Sequence, residues 1–118
     1  MMTLKAEELD QFIGTENWYQ HGLVRSVTYT DGAKYVADNG GAYWLLDEIA
    51  LAQRFNAAVK KEPFQVWKLT VNDHNGALTC DDGDGKVLYT KQIPFTDFPL
   101  PEIRFYFADN VILLPTEY

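Results

Sequence analysis

Two hydrophobic regimes divide this chain. Placed at 100° per residue, residues 42 to 59 put Trp44, Leu45, Ile49, Leu51, Ala52, Phe55, Ala58 and Val59 on about half of a helix circumference, so a main helix is expected there behind the diglycine Gly40-Gly41. Beyond Pro63 the period shortens to two, with Phe64, Val66, Leu69 and Val71 set among polar residues, and strands take over. Turn residues at 72 to 76, 81 to 85 and 108 to 110 divide the second half into strands near 64 to 71, 77 to 80, 86 to 93, 103 to 107 and 111 to 114. Pro94, Pro99 and Pro101 lack the N–H that a ladder needs and force an irregular crossing.

The first forty residues are less regular. Residues 3 to 12 predict a short amphipathic helix, with Thr3 as cap, Leu4, Leu9 and Phe12 as its stripe and Gly14 as its stop. Residues 24 to 29 are rich in β-branched side chains and read as extended, after which Thr30 or Asp31 caps a helix over 33 to 38 that Asn39-Gly40-Gly41 ends. The expected fold is α+β: one domain over 1–118, with N-terminal helices packed on one face of a four- or five-stranded antiparallel sheet.

Composition narrows the function. At 118 residues, 47% hydrophobic and 14% aromatic, the chain can bury a real core but cannot hold a cofactor domain beside a substrate domain. Cys80 is the only cysteine, which removes a disulfide framework and a thiolate zinc cluster and fits a reducing cytoplasm. With no secretory leader or membrane-length apolar run, a cytoplasmic protein with no membrane partner is expected. Ten Lys and Arg against 17 Asp and Glu give a net charge of -7, which repels phosphate backbones and favours either simple solubility or a basic partner surface.

Several residues invite chemistry. Glu48 falls inside the apolar arc, where a carboxylate needs a partner such as Arg25, Lys34 or a backbone donor, and Asp47 could fix a neighbouring loop or contact a ligand. The Asp81-Asp82-Gly83-Asp84-Gly85 turn fails as a calcium loop, because Cys80 and Lys91 would stand where carboxylates are required. Cys80 with His21 or His74 lacks any cysteine-hydrolase signature, two separated histidines make a poor zinc site, and no phosphate-binding or nucleophile-elbow motif is present, so no metal or cofactor is expected. Trp18-Tyr19, Tyr43-Trp44, Tyr89, Tyr106 and Tyr118 divide between core packing, a protein interface and base stacking; Trp44 is expected in the core.

The runs Gly14-Thr15-Glu16-Asn17-Trp18-Tyr19, Thr30-Asp31-Gly32-Ala33-Lys34-Tyr35 and Gly41-Ala42-Tyr43-Trp44-Leu45-Leu46-Asp47, with Thr96-Asp97-Phe98-Pro99 and Leu114-Pro115-Thr116-Glu117-Tyr118, resemble a small bacterial and mobile-element family of unknown function over nearly the whole chain. The resemblance implies no activity. It does imply a mobile-element setting, and with the acidic charge it yields the expected function: a non-enzymatic protein-binding module, in one form an inhibitor of anti-CRISPR or DNA-mimic type that occludes a basic channel. The candidate surface is Asp81, Asp82, Asp84, Glu102, Asp109 and Glu117 with Trp18 and Tyr19. The alternatives are a small enzyme using Glu48 or Asp47 and a nucleic-acid binder with a local basic patch.

Overall fold

The computed structural model describes residues 4–118, so the expected cap Thr3 lies outside the described residues. A 3-10 helix, Ala6–Gln11, replaces the expected helix over 3 to 12. Strands β1 (Trp18–Gln20) and β2 (Thr28–Thr30) follow, then helices α1 (Asp31–Gly40), α2 (Tyr43–Phe55) and α3 (Ala57–Lys60). Strands β3 (Phe64–Asn72), β4 (Asn75–Asp81), β5 (Val87–Ile93), β6 (Glu102–Ala108) and β7 (Val111–Leu113) complete the sheet before a 3-10 turn, Pro115–Glu117. The order is β1-β2-β7-β6-β3-β4-β5.

The fold is α+β, but among the described residues the sheet has seven strands rather than four or five, and β2 pairs with β7 in parallel. Strands β1 and β2 are three residues each, too short to display a period of two, and they precede the helices. The parallel β2–β7 pair brings the early and late parts of the chain together.

Alternation along each strand sends one set of side chains to the helices. Gln65, Trp67 and Leu69 on β3, Leu78 and Cys80 on β4, and Ile103, Phe105 and Phe107 on β6 are buried, and the register aligns Tyr89, Cys80, Trp67 and Phe105 in one row. Leu45, Leu46, Ile49 and Ala50 of α2 and Val36 and Ala37 of α1 join the same core. The predicted arc on the main helix needs correction. Asn56, extended at φ -111° and ψ 111°, ends α2 and caps α3 by accepting from Val59 N, so the helix breaks and Phe55 is left 77% exposed. Trp44 is only half-buried, and Trp67 is the tryptophan at the centre of the core.

A buried polar knot ties the layers. Gln65 and Gln53 exchange amide hydrogen bonds of 2.9 and 2.7 Å; Gln65 Nε2 also donates to Val59 O, and Trp67 Nε1 donates to Gln65 Oε1. The two tight hairpins, Asp73-His74 and Asp109-Asn110, place both central residues at positive φ, which Asp, Asn and His tolerate better than most residues.

Candidate functional site

Among the described residues, no helix packs on the sheet's second face. Register places Asp81, Val66, Tyr106 and Leu113 in one row across it, with Val87 opposite Asp81 across a β-bulge, and Phe64, Ala108 and Val111 in the next. Tyr118 turns back over these rows: its ring lies 5.2 Å from Phe64 and 5.4 Å from Tyr106, and Phe64 and Tyr106 meet edge-on at 5.0 Å. Trp18 pairs with Thr30 on the same face and borders a depression of about 300 Å³ shared with Val111, Asp109 and Tyr118. Exposure is high for residues of this size: 57% for Trp18, 59% for Val87 and 71% for Tyr118.

The acidic candidates separate by position. Phe64 pairs with Ala108 and Val66 with Asp81, so the Asp109 turn and the 81–85 turn share one end of the sheet. There Asp81 accepts from Gly83 N, and Asp82 accepts from Asp84 N and Lys86 N, bonds that hold the Asp82 carboxyl below its ordinary range. Asp84 and Asp109 stay exposed. Glu102 sits at the opposite end, bonded to Arg104 at 3.0 Å and facing Lys68 at 3.9 Å.

Glu117 is not a surface group. It is buried, and its carboxylate accepts from Thr30 Oγ1 at 2.6 Å, Leu114 N at 2.8 Å and Gly32 N at 3.0 Å. Thr30 in turn caps α1 by accepting from Ala33 N, so Glu117 supplies negative charge to the start of that helix across 85 residues of chain. Gly32 makes room for it: a Cβ there would stand 2.5 Å from Glu117 Oε1.

Tyr19 points to the helix side, where it stacks on Tyr29 and donates to Asp31 at 2.8 Å. That bond raises the Tyr19 hydroxyl and, with donors on Asn17, lowers Asp31. One helical turn on, Lys34 bonds Asp38 at 2.8 Å, and Tyr43 also donates to Asp38. The Asp38 carboxyl is lowered by Lys34 first and Tyr43 second.

The enzyme candidates are engaged structurally. Glu48 pairs with Lys91 at 2.6 Å, a partner contributed by β5 and not among those expected. His21 is buried; its Nδ1 accepts from Leu23 N at 3.1 Å and Val24 N at 3.0 Å, so its proton sits on Nε2, 2.8 Å from Asp47 Oδ1. Asp47 therefore fixes a loop, and neither ring nitrogen is left to activate a nucleophile. Cys80 is fully buried with its thiol pushed up to about 12 by desolvation and then by Asp81, and His74 instead stacks on Phe95. Among the described residues, no three His, Cys, Asp or Glu side chains gather as metal ligands, and no helix is long and apolar enough to cross a membrane.

A model of a family of unknown function, DUF6876, matches residues 3–118. The chain belongs to DUF6876. No curated protein and no solved structure matches it. In this DUF6876 chain, the runs at 14 to 19 and 30 to 35 meet at β1, β2 and the start of α1. Tyr19 to Asp31 joins them across 12 residues, and Thr30 to Glu117 ties the second run to the run at 114 to 118 across 87. No local pattern signals either contact: Gln65 is not singled out by sequence, and Asp31 and His21 are named there only as a helix cap and as a base for Cys80, without their partners Tyr19 and Asp47.

Proposed function

We propose that this DUF6876 protein is a non-enzymatic protein-binding module that docks its open sheet face on a partner with a basic surface. The observation that carries the reading is the Trp18, Tyr118, Phe64, Tyr106, Val66 and Val87 surface with Asp82, Asp84 and Asp109 at its rim. Aromatic side chains release water over a large area at low entropic cost, and rim carboxylates steer a basic partner into register. Where the partner's basic surface is a nucleic-acid channel, docking makes the protein a channel-blocking inhibitor, and a polyanion such as heparin competes with it.

Site-specific photo-crosslinking tests this. A benzophenone amino acid is placed at Val87 or Tyr118 on the open face and at Phe55 on the helix side, in the cells that make the protein. The reading requires one partner captured from Val87 and Tyr118 but not from Phe55. It also requires that Asp82→Asn, Asp84→Asn and Asp109→Asn together slow capture at low salt, since steering between exposed charges is screened as ionic strength rises. Equal capture from Phe55, or none from the open face, defeats it.

A further inference from the structure

A groove of about 420 Å³ runs between α1 and the segment 11 to 19, on the helix side of β1 and away from the face that carries Trp18. Its walls are Phe12 and Tyr35, whose rings meet at 5.1 Å, with Tyr19 at one end and Ile13, 83% exposed, at the rim. Its charged lining is Glu16, Asp31, Asp38 and Lys34, three carboxylates against one ammonium. We propose that this groove binds a long-stemmed organic cation, an alkylammonium or guanidinium group of the lysine or arginine side-chain type.

The chain's own Lys34 shows how such a group is held. Its Nζ lies 5.5 Å from the centre of the Tyr19 ring and 2.8 Å from Asp38, so an aromatic face and a carboxylate already share one ammonium. Room for a second remains on the other carboxylates. Asp31 accepts from the Tyr19 hydroxyl, the Asn17 side chain and backbone N–H groups, neutral donors that lower its carboxyl, and among the described residues neither Asp31 nor Glu16 has a cationic partner within ion-pair distance. The stem of the incoming cation lies on Phe12, Ile13 and Tyr35, as long charged side chains do when they cover apolar surface. A neutral chain of equal length gains the stem contact alone.

The source is a free amine or a basic side chain on another protein, and one titration separates them. Ring-proton NMR of Tyr19 and Tyr35 follows addition of N-acetyl-lysine methylamide, N-acetyl-arginine methylamide, the neutral norleucine analogue, and an extended peptide with one central lysine. Saturable shifts with the cations and none with norleucine are expected. Tighter binding of the peptide assigns the groove to a partner's side chain, and equal binding assigns it to a free cation. Glu16→Gln with Asp31→Asn should weaken the cations about fivefold or more, the scale of an exposed ion pair or cation–π contact, and Lys34→Met, which removes the resident ammonium, should tighten them. Absence of saturable shifts with both cations, or equal shifts with norleucine, overturns the proposal and leaves the open-face reading untouched.

Discussion

The two faces of the sheet are made by alternate residues of the same strands, yet they have opposite characters. On β3, Gln65, Trp67 and Leu69 turn inward to the helices, while Phe64, Val66, Lys68 and Thr70 turn outward and keep part of their surface. The inward face is closed by packing and by a satisfied amide knot. The outward face carries aromatic surface that the fold does not need to bury, bordered by acidic turns. Stability and interaction are thereby assigned to different side chains a single residue apart, and substitutions can probe each face separately.

The sharpest contrast is between two tryptophans. Trp67→Ala should destabilise by about 3 to 5 kcal/mol, the usual range for truncating a large buried aromatic, while Trp18→Ala should change stability by under about 1 kcal/mol. Urea denaturation of both variants measures this, and similar losses would erase the distinction between the faces. Next in size is Gln65→Leu, which fits apolar surroundings but leaves Gln53 and the Trp67 N–H without their partner; a loss of about 2 to 4 kcal/mol is expected in the same assay. Gly32→Ala should cost about 1 to 3 kcal/mol by pushing a methyl against Glu117 and Leu114, and in a Glu117→Ala background, itself destabilised, the same substitution should cost less.

The smallest effect is alkaline. Desolvation of the Tyr43 hydroxyl, then its bond to Asp38, raises it from the usual 10 to about 12 although the residue stays 43% exposed. The unfolded chain therefore loses this proton first as pH rises, so Tyr43's contribution is complete below pH 10 and fades between pH 10 and about 12. Tyr43→Phe should flatten the stability profile in that window, measured by denaturation at fixed pH steps. An unchanged slope would remove Tyr43 from the linkage.

Much of this layout is written locally. Thr30 caps α1, Gly41 ends it at φ 60°, and Asp73-His74 and Asp109-Asn110 turn where turn residues stand, because each depends on neighbours a few positions away. The Asp81 and Asp82 side chains close their own turn in the same way. Long-range choices are different. Nothing near Glu117 says that it will lie under Gly32, nothing near Trp44 says that α2 will roll to bury Leu46 and Ala50, and the three-residue β1 and β2 exist only because β7 arrives to pair with β2. The candidate surface divides along the same line: exposure at Asp84 and Asp109 followed from turn chemistry, whereas the opposite facing of Trp18 and Tyr19 and the separation of Glu102 from the other acids were set by ladder register.

The division between the faces is tested most directly by one triple variant, Trp18→Ser with Val87→Ser and Tyr118→Ser, assayed for unfolding free energy alongside photo-capture from Phe64 of the same open face. Three exposed substitutions should together shift stability by no more than about 1.5 kcal/mol while capture of the partner is lost. A stable variant that still captures the partner as the parent does, or one that loses several kcal/mol and unfolds, would contradict the account.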